Sequence, residues 1–235
     1  MIDVKNLFKS YGPVVVLKGI NLTIDQQGIV AVLGPNGSGK TTLIKTILGM
    51  VISQKGEILL NGDPVKNKWL YRNQISYMPQ IANFPQNLKV LELIGMIKNL
   101  RGQTTKDKEL IEQFGLETFL DKKLGTLSGG TRQKVNIVLT FMFDSPLIIL
   151  DEPTTGLDPV ALIHLKKLLS EEKQKGKTIL ITTHIMNLVE EISDQVIFLL
   201  DGTIYFNGTV ASLKEQTGQK NLEHAIATIL KENND

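Results

Sequence analysis

One short segment of the chain has the residue types and the spacing needed to bind phosphates. Residues 34–41 follow the pattern GxxxxGK[ST], a glycine-rich stretch that ends in Lys40 and Thr41. Glycines let the backbone wrap closely around phosphates with its amides pointing inward. Lys40 is expected to reach the β and γ phosphates of a nucleotide, and Thr41 to offer its hydroxyl oxygen to Mg²⁺. The residues predicted to bind the nucleotide here are Gly34, Pro35, Asn36, Gly37, Ser38, Gly39, Lys40, Thr41 and Thr42.

The surroundings of this segment support the same chemistry. An apolar run at 29–33 predicts a short buried strand before it, and apolar residues repeat at helical spacing over 43–48, up to Gly49. A helix that starts near Gly39 adds its positive end to the site. A plain glycine-rich turn is the alternative, but pattern and context are both present. The sequence therefore predicts a nucleotide site.

Two carboxylates follow a second apolar run. Residues 147–152 read Leu-Ile-Ile-Leu-Asp-Glu, which predicts a buried strand that brings Asp151 to the carboxyl edge of a sheet. Asp151 can hold Mg²⁺ there, through water, and Glu152 is suited to polarise an attacking water. The alternative is an acidic pair that caps a following helix. Since a phosphate loop is present, we favour the catalytic interpretation.

A second candidate anion site lies at residues 127–133, Leu-Ser-Gly-Gly-Thr-Arg-Gln, at the start of a predicted helix. One phosphate cradle is enough for one γ-phosphate, so a second needs an explanation. The string resembles the signature sequence of ABC transporter ATPases, although such short strings also occur by chance. In that family the signature of one subunit covers the ATP held by the phosphate loop of the other. The residues that the resemblance assigns to ATP binding in trans are Ser128, Gly129, Gly130, Gln133 and Asp158.

The resemblance covers essentially the whole chain and implies roles for further residues. Tyr11 matches the aromatic residue that stacks on adenine, and an aromatic residue on a surface strand is the alternative. Gln80 matches the glutamine that senses Mg²⁺ and the γ-phosphate. Asp158 matches the loop that crosses the dimer interface, a role compatible with capping a helix. His184 matches the switch histidine at the γ-phosphate, although an isolated histidine is usually structural. The implied catalytic residues are thus Glu152, His184 and Lys40.

The elements that must position these residues change character along the chain. The first eighty residues predict mostly short strands, and Ile20, Leu22 and Ile24 alternate with polar residues. From Leu88 to about Thr140 the pattern becomes helical, with one helical face at 90–98 and another helix at 110–120.

Strands and helices then alternate again. The pattern predicts strands at 147–150 and 178–182, helices at 159–175 and 187–192, and a hairpin at 195–206. The tail from 222 predicts a short amphipathic helix.

These elements predict an α/β fold. We expect a P-loop core with a mainly parallel sheet, an N-terminal antiparallel β subdomain and an inserted α-helical subdomain, the ABC ATPase fold that the resemblance implies. The predicted core comprises residues 1–85 and 145–210, the helical subdomain 86–144, and the tail 211–235.

Composition limits the possible functions. The 235 residues include 26 basic and 24 acidic side chains, a net charge of +2 that predicts no nucleic-acid partner. Cysteine is absent, which excludes disulfides and thiolate metal sites. The apolar runs are too short to span a bilayer, and the start predicts no secretory signal. We expect a protein that acts from the cytoplasm.

The resemblance implies the cofactors and partners. They are ATP and Mg²⁺, a second copy of the chain with ATP at the interface, and integral membrane permease subunits at the inner face of the membrane. The segments 78–84, 131–136 and 139–166 are also similar to ATPases of copper-processing systems for nitrous oxide reductase maturation. Other exporters, of the multidrug, lipid or haem type, are the alternative, and an ABC-type regulatory or nucleic-acid factor is the alternative from another class.

Overall fold

The computed structural model describes residues 1–25 and 27–232 and shows two compact units. The first contains residues 1–72 and the chain from 180 onward, and the second contains residues 73–179. The strands are β1 (Ile2–Tyr11), β2 (Val14–Ile24), β3 (Gly28–Leu33), β4 (Lys55–Leu60), β5 (Asp63–Pro64), β6 (Ile75–Met78), β7 (Leu147–Asp151), β8 (Thr178–Thr182), β9 (Gln195–Leu200) and β10 (Thr203–Gly208). The helices are α1 (Lys40–Ile47), α2 (Val90–Arg101), α3 (Asp107–Gln113), α4 (Gly129–Phe141), α5 (Pro159–Gln174), α6 (Met186–Ile192), α7 (Val210–Thr217) and α8 (Leu222–Glu232).

The first unit contains an antiparallel sheet in the order β2-β1-β4-β5. Its predicted alternation is confirmed, because Ile20, Leu22 and Ile24 are all buried. The strands are not uniformly short, however, since β1 has 10 residues and β2 has 11. The pairing of β1 with β2 extends from Ile2 opposite Ile24 to Tyr11 opposite Val14, with register shifts after Val4, Leu7 and Lys9.

A mixed sheet in the same unit positions the phosphate loop. β3 is parallel to β9, and β9 is antiparallel to β10. All six residues of β3 are buried, as expected for a continuous apolar strand in a parallel arrangement. The α/β fold class is thereby confirmed, with one antiparallel sheet and one mixed sheet accompanied by helices.

The second unit pairs β6 with β7 in parallel and places the carboxylates at the end of β7. All five residues of β7 are buried. The helical region begins with α2 and continues to the end of α4, and β8 has the predicted bounds of 178–182. The subdomain boundaries at 86, 144 and 210 remain predictions.

Three details of the helices differ from the expectation. The helix predicted over 110–120 ends at Gln113, because Gly115 takes a left-handed conformation with φ of 62°. In α2 the apolar face is shifted from the one expected from the spacing of Val90, Leu91, Ile94, Ile97 and Lys98, since Leu91 is 52% exposed while Leu93 is buried. The helix α7 was not predicted, although Thr209 caps it by accepting a hydrogen bond from the backbone of Ser212.

A buried carboxylate holds distant parts of the second unit together. Glu172 on α5 is 1% exposed and accepts hydrogen bonds from Lys106, Lys175 and Lys177. Lys177 also pairs with Asp144 at 2.6 Å. Burial alone raises the pKa of Glu172, but the bonds from the three lysines outweigh it and lower this pKa to about 2. The charged form of Glu172 therefore stabilises the folded unit.

Glu172→Gln is expected to lower the free energy of unfolding by about 3 kcal/mol. This value is at the low end of the range for breaking a buried ion pair, because Lys106 and Lys175 are partly exposed. The folded pKa lies below the ordinary value of 4.5, so this stabilisation is present above that pH and is lost as the pH falls towards about 2. Urea titrations at several pH values measure both effects. The matched control is Glu171→Gln, which removes only a surface pair at 3.8 Å with Lys167 and is expected to change stability little. An equal loss in the two variants would contradict the role of Glu172.

Candidate functional site

The phosphate loop of the first unit connects β3 to α1 and needs glycine at its first position. Gly34 has φ of 147°, and a Cβ there would lie 2.1 Å from the carbonyl oxygen of Leu199 and 2.7 Å from Ser38 Oγ. Only a glycine fits such a close approach of two backbones. The first residue of the loop therefore packs directly on the backbone of β9.

Two polar side chains face the inside of this loop. Lys40 is 9% exposed, and its Nζ donates to the carbonyl oxygens of Gly34 at 2.7 Å and Pro35 at 3.0 Å. Ser38 is 2% exposed, and within residues 1–25 and 27–232 its Oγ finds no hydrogen-bond partner. A buried hydroxyl without a partner costs free energy unless a ligand supplies one. The loop thus has the charge and the unsatisfied polar group that a phosphate would match.

The first unit also contains Tyr11 and His184. Tyr11 ends β1 with 49% of its surface exposed, and Lys9 Nζ lies 4.9 Å from the centroid of its ring. The exposed ring leaves room for an aromatic base to stack. His184 is exposed on the short segment between β8 and α6. Tyr11 is thus the last residue of a strand, and His184 follows the end of another by two residues.

The second unit brings the two predicted carboxylates to the end of β7 in different backbone conformations. Asp151 is 3% and Glu152 is 7% exposed. Glu152 has φ of 52°, a left-handed conformation that is uncommon for a residue with a side chain and that stores strain at functional sites. Burial and the charge of Asp151 raise the pKa of Tyr77 to about 12, so this phenol stays protonated beside the carboxylate.

The signature segment forms the start of α4 in the same unit. Ser128 is the N-cap, and its Oγ accepts a hydrogen bond from the backbone of Thr131 at 3.2 Å. A Cβ on Gly130 would lie 2.6 Å from the carbonyl oxygen of Gly156, so the helix start packs tightly on the following loop. Asp158 caps α5 through the backbone of Ala161 and also pairs with Lys134 at 2.7 Å.

The remaining predicted residues of this unit separate into exposed and buried ones. Gln80 is exposed just after β6. Gln133 is 8% exposed, and its Nε2 donates to the carbonyl oxygen of Pro153 at 3.0 Å, so its amide points into its own unit. Sequence reasoning missed Asn136 and Lys134, which also bond to loops of the site. For Asn136 the available signal was its spacing of three residues from Gln133 on one helix, whereas Lys134 had no such signal.

The predicted metal ligands suit Mg²⁺. They are the hydroxyl of Thr41, the amide oxygen of Gln80 and the carboxylate of Asp151, all of them hard oxygen donors of the kind that Mg²⁺ prefers. No helix within residues 1–25 and 27–232 has the length and apolar character of a membrane span. The fold and the loop between β3 and α1 define a nucleotide-binding protein of the P-loop class.

Comparisons with known proteins narrow this class. The model of the family described as ABC transporter matches residues 17–155. The chain is 34% identical to the ABC-type transporter ATP-binding protein EcsA of Bacillus subtilis, over 94% of this chain and 92% of that protein. It is also 34% identical to the Nod factor export ATP-binding protein I of Burkholderia lata, over 91% of this chain and 72% of that protein.

Solved structures agree with the sequence comparisons. One described as an ATP binding subunit of an ABC transporter has a TM-score of 0.89 and 32% identity, covering 97% of this chain and 98% of the other. A dimeric post-hydrolysis state of the ATP-binding cassette MJ0796 bound to ADP and Pi has a TM-score of 0.80 and 27% identity, covering 89% and 98%. The chain belongs to the ABC transporter family, as an ATP-binding domain of the ABC ATPase type.

Proposed function

We propose that this chain is the ATP-hydrolysing subunit of an ABC exporter and works as a dimer with ATP between the two copies. The observation that carries the proposal is the presence of two separate segments suited to bind anions, the loop at 34–41 and the helix start at Ser128. One copy needs only the first for its own nucleotide. The dimeric cassette with ADP and Pi supports the arrangement, and the Nod factor export protein supports export.

Within this proposal, the backbone amides of the loop and Lys40 hold the β and γ phosphates, and Tyr11 stacks on the adenine. Thr41, Gln80 and Asp151 would hold Mg²⁺, which would supply positive charge to neutralise the phosphates. Glu152 takes a proton from the water that attacks the γ-phosphorus, and ADP and phosphate leave.

The partner copy completes the site through the helix start of α4. Ser128, Gly129 and Gly130 contact the γ-phosphate, and Asp158 lies at the interface between copies. His184 contacts the γ-phosphate from the copy that binds the ATP. We leave Gln133 out of this set, because its side chain is buried and bonded to Pro153.

The membrane partner would dock on the second unit close to Gln80. Ile81 is 72% exposed, and Phe84 is half-buried, so Ile81 is the better anchor for permease subunits at the inner face of the membrane. ATP contacts stabilise the closed dimer, and their loss after hydrolysis lets it open. The copper-processing hypothesis gains no support from the relatives named above, and export of another substrate is the stronger proposal.

A complementation experiment tests the shared site. Lys40→Ala removes the phosphate lysine but keeps the signature, while Ser128→Arg blocks the signature but keeps the phosphate loop. Each variant alone is expected to be nearly inactive in ATP hydrolysis. Their mixture is expected to regain activity, because a mixed dimer contains one complete site built from an intact loop and an intact signature.

The activity of the mixture is measured as phosphate release at increasing ratios of the two proteins. The control is each variant mixed with itself at the same total concentration. If the mixture stays as inactive as its components while both variants still fold, the site is not shared between copies and the proposed dimer is wrong.

A further inference from the structure

We propose that Gln133 and Asn136 on α4 are positioning residues that hold two loops of the hydrolysis site, one carrying Glu152 and the other Gln80. This inference rests on the proposed function and deepens it. The two side chains lie three residues apart on one helix, so they point to the same side of it. Both are buried, with 8% and 3% of their surfaces exposed.

Gln133 holds the loop of the catalytic glutamate. Its Nε2 donates to the carbonyl oxygen of Pro153, the residue immediately after Glu152, at 3.0 Å in a buried position. Glu152 has the left-handed φ of 52°. Such a conformation persists only where the surroundings constrain it tightly. The bond to the next peptide is such a constraint, so Gln133 fixes the direction of the Glu152 side chain.

Asn136 holds the loop of the glutamine proposed to sense the γ-phosphate. Its Nδ2 donates to the carbonyl oxygen of Pro79, the residue immediately before Gln80, at 3.2 Å. Pro79 follows β6, whose partner β7 carries Asp151 at its end. The side chain of Gln80 is exposed, so its position depends on the backbone that Asn136 holds.

One rigid helix therefore links three parts of the second unit. Its start, at Ser128, is the surface proposed to meet the ATP of the partner copy. Gln133 and Asn136, one to two turns further on, hold Glu152 and Gln80 of the same copy. A shift of α4 caused by contact with the partner's ATP would move both loops, which couples the two nucleotide sites of a dimer.

Double-mutant cycles on the full chain test this role. Asn136→Leu and Gln133→Met keep side-chain size but remove the donated hydrogen bond. Each is expected to slow single-turnover ATP hydrolysis by about 10- to 100-fold, the usual effect of a misplaced catalytic group. The Kd for Mg·ATP is expected to change by less than about twofold, since both side chains are buried and bonded to the backbone of their own unit.

The cycle separates positioning from general stability. If Asn136 acts through Gln80, adding Asn136→Leu to Gln80→Ala slows hydrolysis no further, whereas a merely structural role gives multiplying effects. Asn136→Gln, which keeps a donor on a longer side chain, is expected to restore part of the rate. The matched control is Thr140→Val, one turn later on α4, which removes a buried hydrogen bond at 2.8 Å to the helix's own backbone at Asn136.

Thr140→Val and Asn136→Leu should shift the midpoint of thermal unfolding similarly, but only Asn136→Leu should slow hydrolysis. Provided that the wild type hydrolyses ATP, two outcomes would overturn the inference. One is equal rates of hydrolysis in Thr140→Val and Asn136→Leu, and the other is that the effects of Asn136→Leu and Gln80→Ala on the rate multiply. If the wild type itself shows no hydrolysis that depends on Glu152, the proposed function fails instead.

Discussion

Replacing Glu152 by glutamine is expected to slow ATP hydrolysis by about 10²- to 10⁴-fold and to leave ATP bound between two copies of the chain. The amide keeps the size of the side chain but cannot accept the proton of the attacking water. Contacts to the γ-phosphate then persist, and with them the closed dimer. The fold should tolerate the change, because glutamine fills the same space at this buried position.

The measurements are phosphate release and the molecular mass in solution with Mg·ATP. A suitable control is Glu117→Gln, an exposed carboxylate of the same unit, which should hydrolyse ATP like the wild type. Near-normal turnover in Glu152→Gln would remove the catalytic assignment. A strictly monomeric Glu152→Gln protein saturated with Mg·ATP, even in the presence of its membrane subunits, would contradict the dimer.

Lys40→Ala is expected to weaken ATP binding by about 10- to 150-fold, the value of one strong charge-assisted hydrogen bond. The Nζ of Lys40 donates to the carbonyl oxygens of Gly34 and Pro35. These bonds hold the ammonium group inside the loop, so little side-chain entropy is lost when a phosphate approaches it. The loop itself should survive the change, since the glycine contacts with β9 are backbone contacts.

Titration with a fluorescent ATP analogue measures the change in affinity. Lys45→Ala serves as the matched control, because Lys45 lies on the same helix but is exposed; its affinity should equal that of the wild type. An unchanged affinity in Lys40→Ala would show that the lysine does not contact the phosphates, and the interpretation of the loop would have to be abandoned.

Much of the fold could be predicted from local patterns. The apolar run at 29–33 lies in β3, and 178–182 is β8. Such continuous apolar strands are recognisable because both of their faces are buried. The N-caps of α4 and α5 could also be predicted from the sequence, since serine and aspartate, here Ser128 and Asp158, are preferred N-cap residues. Local patterns were less reliable in the helical region, where Gly115 ends a helix that the apolar spacing extends to 120.

The candidate site was predictable in its residues but not in its contacts. The pattern at 34–41 and the run ending in Asp151 and Glu152 identify which side chains can do the chemistry. No pattern along the chain indicates that Gln133 bonds to Pro153, 20 residues away, or that Asn136 reaches Pro79, 57 residues away. Such pairs depend on how α4 packs, which is a property of the whole unit.

The sequence by itself therefore determined the class of protein, since phosphate-binding chemistry needs a few residue types at short, fixed spacings within one segment. Tertiary structure alone decided the backbone conformation of Glu152, the burial of Gln133 and the partners of Glu172. The physical reason is how far apart in the sequence the interacting residues lie. Turns, caps and periodicity are set by neighbours in the chain, whereas burial and hydrogen bonding between distant segments exist only once the units are packed.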